Sequence, residues 1–297
     1  QQFRDALMTG KARGLAFALS AVTIFAGQDV ISKHLGTHYP PIFIVMLRYW
    51  AFAAFVLLLA ARSQGGLSGA AKTSRPVLQI ARGVILVVQI VIAVSSFALV
   101  GLSQTQSIFA ATPLFVAALS VPLLGERVGW RRWTAIAIGL FGVLMIINPS
   151  ADRLDLTLLL PIAGSGIFAL YAITTRLASR SDSAMTSFFY TGLAGGAAIT
   201  LAGPFFWTPL APLDWVWMAA LCCTGITGHY LLIRAYDLVD AVTVQQITYV
   251  QIVLVCIMGV LVYGEVVTLN MITGAFLVIA AGLFTIWRES RTARARS

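Results

Sequence analysis

Long apolar stretches dominate the chain, and short polar or Gly/Pro-containing connectors separate them. Ten apolar segments lie at about 13–33, 41–61, 79–99, 103–123, 131–148, 157–177, 183–203, 214–236, 241–262 and 269–287. A helix of about 20 residues crosses the roughly 30 Å hydrocarbon core of a membrane. Open strands would leave backbone groups unpaired in lipid, and no alternating pattern indicates a barrel. The pattern therefore predicts an all-α integral membrane protein with ten transmembrane helices.

Composition supports the same conclusion and excludes several other classes. Of the 297 residues, 59% are hydrophobic and 10% charged, whereas a soluble domain carries about 25% charged residues. The net charge of +9 does not indicate a nucleic-acid partner, because the basic residues lie in connectors and at the chain ends. Cys222, Cys223 and Cys256 lie inside apolar segments and fit neither a disulfide framework nor spaced metal ligands. No cofactor and no metal site is predicted.

The distribution of lysine and arginine predicts the orientation. With both termini cytoplasmic, sixteen of the 20 basic residues face the inside, only Lys33 and Arg153 face the outside, and Arg48 and Arg82 fall within spans. Cytoplasmic connectors carry an excess of positive charge. We therefore expect a multi-pass protein of a bacterial-type cytoplasmic (inner) membrane, with the lipid bilayer around it and an even number of spans.

The two halves of the sequence resemble each other. Residues 123–147 align with residues 262–286 at an offset of 139, with six of 25 positions identical, and Gly125-Glu126 coincides with Gly264-Glu265. A second match places residues 25–33 over 168–176 at an offset of 143. Because each half has an odd number of spans, the halves must be inverted. We predict two five-helix repeats, 1–149 and 150–297, around a central cavity, an arrangement typical of secondary transporters.

The motifs at the ends of the fourth and ninth spans resemble a known family. PLLGE at 122–126 and VYGE at 262–265 each precede a helix rich in small residues, and Pro113 lies thirteen residues before Glu126. These features are similar to the drug/metabolite transporter superfamily, and within it to the ten-helix EamA-type exporters, which include the aromatic and general amino acid exporters. In the second half, Ile252 stands where the first half has Pro113. The resemblance implies export of small metabolites without ATP.

The first two spans contain ionisable residues at similar depth. Asp29 lies one turn from Lys33, so an i, i+4 ion pair is one interpretation. The other is that Asp29, with Lys33 and Arg48, acts in gating, coupling or substrate contact, since intramembrane charges are costly and usually functional. Gln28 aligns with Tyr171 of the second half. The repeat predicts that both face the cavity.

The ninth span is unusually polar. Gln245 and Tyr249 share one helix face, and Gln246 lies about 100° away, so either face fits a cavity lining. The counterpart of this span in the first half, the fourth span, offers Gln106 within a similar polar stretch. We expect Gln106, Gln245, Gln246 and Tyr249 to contact the substrate, and hydrogen bonding between helices is the alternative.

Two further side chains have alternative interpretations. His229 is the one histidine inside a span and is either a proton-relay residue or a packed, hydrogen-bonded imidazole. Trp50 either forms an apolar cavity wall or faces lipid.

The missing catalytic motifs favour transport over catalysis. The sequence contains no GxxxxGK[ST] phosphate loop and no HExxH zinc motif, so neither ATP-driven work nor zinc hydrolysis is indicated. We predict a non-enzymatic exporter of an amino acid-like small molecule that works by alternating access, with possible proton coupling, as a monomer or weak homo-oligomer without nucleic acid. The alternatives are export of a drug, amine or nucleoside, or a membrane sensor or scaffold.

Overall fold

The computed structural model describes residues 2–63, 65–125, 129–147, 155–236, 238–239 and 241–294. For residues 2–9, 11, 132, 233, 236, 241–246, 286 and 288–294 it describes the backbone alone. The predicted positions of Glu126 and Arg153 lie outside the described residues.

Helices account for nearly all of the described chain. They are α1 (Gln2–His38), α2 (Pro41–Ala61), α3 (Gly66–Ala71), α4 (Pro76–Leu99), α5 (Leu102–Phe109), α6 (Thr112–Leu124), α7 (Trp130–Ile147), α8 (Leu159–Ala178), α9 (Ala184–Ala202), α10 (Pro212–Tyr236), α11 (Ala241–Tyr263) and α12 (Leu269–Arg294), with short 3₁₀ turns at Leu156–Leu158 and Gly203–Phe206. Each predicted apolar segment falls on one of the longer helices or, for 103–123, on the pair α5 and α6. The short helix α3 and the break between α5 and α6 are additions to the predicted pattern.

Local sequence explains where the helices begin and end. Proline occupies the first turn of α2, α4 and α6, where its missing N–H leaves no intrahelical bond unmade. Ser183 caps α9 by accepting the backbone N–H of Thr186. At the other ends of α6 and α11, Gly125 and Gly264 adopt φ values of 68° and 64°, a left-handed conformation that glycine adopts without strain. The two aligned Gly-Glu motifs thus have the same backbone geometry at their glycines.

Connectors group at two ends of the helix bundle. We call one the Glu265 end, which holds the connectors around residues 39–40, 100–101, 203–211 and 264–268. At this end the Tyr39 hydroxyl donates to Asp214 at 2.6 Å and accepts the Ala211 N–H at 2.9 Å. The other is the Asp182 end, with the connectors around residues 62–75 and 179–183. Here the Thr73 hydroxyl donates to Asp182 at 2.5 Å.

Helices of the first half (α1–α7) pack mainly against helices of the second half (α8–α12). The principal pairs are α1 with α10 and α8 with α4, α1 with α11 and α8 with α6, α4 with α9 and α10 with α2, α2 with α9, and α7 with α12. Each of these pairs has a counterpart, or is its own counterpart, when the helices of one half are exchanged for those of the other in chain order. Within the first half, α1 also packs against α4. The inverted orientation of the halves stays a prediction.

Many helices have the length and composition of membrane spans. Within the described residues, seven helices are long and apolar enough to cross a membrane, and the apolar stretches Trp133–Ile147, Ile247–Tyr263 and Leu269–Thr285 are shorter. Large apolar side chains are exposed on the outside of the bundle, among them Leu58, Phe141, Leu201 and Phe276. Such a surface is suited to contact with lipid. The count of ten spans stays a prediction.

Candidate functional site

A cavity of about 440 Å³ lies between α2, α4, α8, α9 and α10. Its wall combines aromatic and aliphatic side chains with a few polar ones, namely Arg48, Tyr49, Phe52, Arg82, Leu86, Ile90, Tyr171, Thr175, Ser179, Asp182, Ala184, Ser187, Phe188, Thr191, Cys222, Gly225, Ile226, His229 and Leu232. Ser179 and Ala184 are exposed, so the cavity opens at the Asp182 end. A mostly apolar pocket with a few converging polar groups is typical of small-molecule sites.

Arg82 is fixed near the open end of the cavity by neutral partners. Its side chain is only 2% exposed. The guanidinium donates to Gln79 at 3.3 Å, Thr175 at 3.1 Å and Thr191 at 2.8 Å, and also to the carbonyl of Ser187. Its carbon lies 5.5 Å from the centre of the Tyr171 ring. These contacts tie α4 to α8 and α9, because each partner lies on one of these three helices.

Asp182 borders the mouth of the cavity and joins two connectors. It accepts Gln79 Nε2 at 2.7 Å and the Thr73 hydroxyl at 2.5 Å. Hydrogen bonds from Gln79 and Thr73 hold the pKa of Asp182 below its ordinary value. Because Gln79 also binds Arg82, the mouth and the arginine form one connected network.

Arg48 and His229 lie deeper in the cavity. Arg48 is on α2, and no hydrogen bond or ion pair to its guanidinium occurs within the part of the chain that the structure describes. His229 packs between Phe25 and Phe52, with ring centroids 5.1 and 5.7 Å away. Its Nδ1 lies 2.8 Å from the carbonyl oxygen of Gly225. A carbonyl only accepts, so Nδ1 carries the proton and Nε2 of the neutral ring is an acceptor.

A polar cluster of Asp29, Gln106 and Gln251 lies outside the lining of the cavity. Asp29 accepts Gln106 Nε2 at 2.7 Å and Gln251 Nε2 at 2.8 Å on the same oxygen. These three residues join α1, α5 and α11, so both halves contribute. Gln28 is 6% exposed, and its Oε1 has no partner among the described residues.

At the Glu265 end, the carboxylate of Glu265 joins α1 to α5, in a contact that we call the Glu265 seal. Its carboxylate accepts Lys33 Nζ at 2.5 Å and the backbone N–H groups of Leu102 and Ser103 at 2.7 and 2.8 Å. These amides form the first turn of α5, where unpaired N–H groups favour an anion. Burial raises the pKa of Glu265, but the hydrogen bonds from Lys33, Ser103 and Leu102 outweigh it and hold the pKa below its ordinary value. The Tyr263 hydroxyl adds a bond to the Val30 carbonyl at 2.7 Å.

The structure separates the predicted site residues into groups. Arg48, Tyr171 and His229 line the cavity, while Asp29 and Gln106 meet in the buried cluster beside Gln28. The predicted i, i+4 ion pair between Asp29 and Lys33 is wrong, because Lys33 pairs with Glu265 across the bundle.

Two predicted cavity residues lie elsewhere. Trp50 is 42% exposed on the outside of α2, where its indole N–H donates to Thr200 at 2.9 Å. The alternative interpretation, a residue that faces lipid, fits this position. Tyr249 packs against Gly282 of α12, and its hydroxyl is buried without a partner. The side chains of Gln245 and Gln246 lie outside the described ones.

Sequence reasoning missed several contributors. Arg82 was assigned only to a span, although a charge inside a span is itself a signal of function or of a polar network. Gln251 belongs to the polar run of the ninth span, but its partner Asp29 is 222 positions away. No local pattern reveals such a pair. Glu265 was recognised as part of a repeated motif and not as the partner of Lys33.

The comparisons with known proteins agree with this architecture. The model of the EamA-like transporter family matches residues 12–148 and 156–287. The S-adenosylmethionine uptake transporter of Rickettsia bellii is 25% identical over 287 residues, 97% of each chain. The riboflavin transporter of Brucella anthropi is 25% identical, over 93% of this chain and 99% of its own. The pseudopaline exporter of Pseudomonas aeruginosa is 24% identical, over 90% and 94%.

A solved crystal structure has the same fold. It superposes with a TM-score of 0.62 at 18% identity, and the match covers 93% of this chain and 97% of the other. At this identity the likeness concerns the fold alone. The family match and the named relatives confirm the resemblance to EamA-type proteins, and the chain is a multi-pass membrane protein.

Proposed function

Because the chain belongs to the EamA-like transporter family, we propose that it is a secondary transporter that carries an amino-acid-like metabolite across a bacterial cytoplasmic membrane. The observation that carries this proposal is the cavity of about 440 Å³. It is large enough for a small metabolite, opens at the Asp182 end, and combines an aromatic wall with the unpaired guanidinium of Arg48. Such a lining suits a small zwitterion with an apolar side chain.

The named relatives differ in the chemistry of their substrates. S-adenosylmethionine, the substrate named for the Rickettsia bellii relative, is itself an amino acid derivative. The relatives named for riboflavin and pseudopaline indicate that the same fold handles chemically different cargo. The lining of this cavity, and not the family, therefore supports the choice of an amino-acid-like substrate.

The packing supports alternating access as the mechanism. The helix pairs exchange between the halves, as expected when two related units rock about a central site. The seal of Lys33 on Glu265 closes one end while the other is open. With the orientation predicted from the basic residues, the open Asp182 end faces the cytoplasm, and this conformation faces inward.

Purified protein in proteoliposomes tests the proposal. The panel contains labelled phenylalanine, leucine, S-adenosylmethionine, riboflavin, a polyamine and a nucleoside, each measured with and without a pH gradient. We expect saturable uptake of at least one amino acid or of S-adenosylmethionine, above the background of protein-free liposomes. Uptake confined to riboflavin, the polyamine or the nucleoside, or no uptake at all, would contradict it.

The direction of transport needs a separate measurement, since the relatives are named for both uptake and export. We propose export. Cells that express the protein and are loaded with a phenylalanine-containing dipeptide should release phenylalanine faster than cells with an empty vector. Release equal to that of the control, with the protein present in the membrane, would contradict export.

Coupling to protons is tested on the two candidate residues. Asp29→Asn keeps an oxygen that accepts from Gln106 and Gln251, and His229→Gln keeps hydrogen-bonding ability, so both variants are expected to fold. If either residue couples transport to protons, its variant loses the response to a pH gradient. An unchanged response in both variants excludes them as coupling sites.

A further inference from the structure

The two arginines of the cavity differ in one respect. Arg82 uses its donors on neutral groups of three helices, whereas Arg48 reaches the cavity with no hydrogen-bond or ion-pair partner within the described part of the chain. A guanidinium carries five N–H donors in a planar fork and remains charged in proteins. Arg48 is partly exposed and lines the open cavity, so its unused donors are accessible to an anion that enters the cavity from outside the chain.

A second unpaired group lies beside Arg48. Gln28 is buried, and its carboxamide oxygen has no partner. A Cβ built on Gly225 would lie 3.3 Å from Gln28 Oε1 and 3.4 Å from Arg48 Nε. Both groups therefore lie against the same bare stretch of α10 backbone, with Arg48 in the cavity lining and Gln28 outside that lining. The Arg48 guanidinium only donates and Gln28 Oε1 only accepts, yet no hydrogen bond joins these two groups.

Asp29 and an aromatic wall complete the surroundings of Arg48 and Gln28. Asp29, held by Gln106 and Gln251, follows Gln28 on α1. Phe52 and Phe188, with ring centroids 5.1 Å apart, form an apolar wall of the same cavity. The region thus offers a cation, an acceptor and an aromatic surface in close succession.

We propose that Arg48 and Gln28 form the subsite for the amino-carboxylate group of the substrate. The Arg48 fork binds the carboxylate through two parallel N–H···O bonds, which a planar oxyanion matches. Gln28 Oε1 accepts a hydrogen bond from the ammonium group, and the aromatic wall takes the side chain. This assignment rests on the proposed function and adds the chemical group that the cavity recognises.

The test compares Arg48→Gln with wild type in proteoliposomes, with labelled phenylalanine as the probe. Unlabelled phenylalanine, phenylalaninamide and phenethylamine compete, so the carboxylate is first neutralised and then removed. In wild type only phenylalanine should compete well. Arg48→Gln should raise the apparent KM about 10- to 100-fold, as expected for loss of a hydrogen-bonded charge. It should also abolish the preference for the free acid over the amide.

Further variants separate recognition from folding. Arg48→Lys keeps the charge but not the fork and should lose part of the affinity. Gly225→Ala adds a methyl group between Arg48 and Gln28 and should raise the KM without removing either group. Gln28→Met should reduce the preference for phenylalanine over N-acetylphenylalanine. Arg62→Gln, the same change at an exposed position of the α2 terminus, should behave like wild type.

The outcomes distinguish this assignment from the proposed function. If wild type transports neither an amino acid nor S-adenosylmethionine, the proposed function fails. If wild type transports phenylalanine and Arg48→Gln and Arg48→Lys keep its KM and its preference for the free acid, the subsite is wrong and the proposed function stands. Should Arg48→Gln not elute as a folded monodisperse protein, Arg48→Lys and Gly225→Ala decide.

Discussion

The two arginines that line the cavity, Arg48 and Arg82, illustrate how context decides the role of a side chain. Arg82 is 2% exposed and has a partner for each part of its guanidinium, so its effect is to hold α4, α8 and α9 together. Arg48 has no such partner and is therefore free to bind cargo. When stability and transport are measured on the same variants, replacement of Arg82 should mainly lower stability and replacement of Arg48 should mainly impair transport.

Replacing Arg82 should weaken the fold. Arg82→Gln leaves the Thr191 hydroxyl and the Ser187 carbonyl without their charged donor, and each such bond contributes about 1.5–3 kcal/mol. We expect the free energy of unfolding in mixed micelles to fall by roughly 2–4 kcal/mol. Arg62→Gln, at an exposed position, should change it by less than about 0.5 kcal/mol. Equal stability of both variants would show that the Arg82 network is not structural.

The seal at Glu265 should depend on pH. The pKa of Glu265 is lower in the folded protein than its ordinary value of 4.5. Its ionised form therefore stabilises the fold above about pH 4.5, and this contribution disappears as the pH falls through the lower folded pKa. The difference in thermal midpoint between wild type and Glu265→Gln should be constant from pH 7 to 5 and shrink below pH 4.5.

A double-mutant cycle with Lys33 isolates the ion pair. Lys33→Met and Glu265→Gln should be less destabilising together than the sum of the single changes, because they remove the same contact. Additive effects would mean that Glu265 acts through the α5 amides alone. A difference in midpoint that persists unchanged to pH 3.5 would contradict the assigned titration.

At the scale of elements, glycines allow α7 and α12 to pack closely against each other. A Cβ on Gly142 of α7 would lie 2.7 Å from the carbonyl oxygen of Gly274 on α12, and 3.0 and 3.1 Å from side chains of the same helix. Backbone cannot move aside as a flexible side chain can. The pair α7 and α12 therefore depends on the absence of side chains at this crossing, as small-residue contacts in membranes generally do.

Gly142→Ala should destabilise the protein, and Gly166→Ala should not. The first change overpacks the crossing, with an expected cost of about 1–3 kcal/mol. At Gly166 of α8 nothing lies within 4 Å of an added Cβ, so the gain in helix preference of about 0.5–1 kcal/mol remains. Thermal midpoints of the two variants in the same detergent check this. A lower midpoint for Gly166→Ala than for Gly142→Ala would contradict the packing.

Sequence predicted the elements better than their details. Apolar runs of span length located the helices, because burial in lipid requires such runs. The extension of α1 to His38 and the short helix α3 are not marked by hydrophobicity. The break at Ala110 and Ala111 precedes Pro113. Proline has no N–H to donate to the carbonyl four residues earlier, that of Phe109, so it marks the break only approximately.

For the molecule as a whole, the open end and the sealed end predict a labelling pattern. In a variant without the native cysteines, Ser181→Cys should react with a membrane-impermeant maleimide only after the cells are permeabilised. Ala211→Cys at the Glu265 end should react in intact cells. The reverse pattern would invert the orientation predicted from the basic residues, and reaction of both in intact cells would contradict an opposite placement of the two ends.

The sequence predicted several residues of the site but not the contacts between them. Polar residues inside spans identified Asp29, Arg48, Gln106 and His229 as the group to consider. Lys33 and Glu265, however, are 232 positions apart, and only the three-dimensional packing brings them together. Trp50 keeps two interpretations open at the level of sequence, because a tryptophan near mid-span satisfies the same pattern whether it faces lipid or protein.

One carboxylate at the sealed end performs two tasks. Glu265 pairs with Lys33 and also accepts hydrogen bonds from the first two N–H groups of α5. If this one side chain moves away, the Lys33 ammonium and both N–H groups lose their partner at once. Conformations in which this end is only partly open are therefore disfavoured, because Lys33 and the two amides share one acceptor and lose it together. The closure should behave as a cooperative switch, and passive leakage of ions through the carrier should be low.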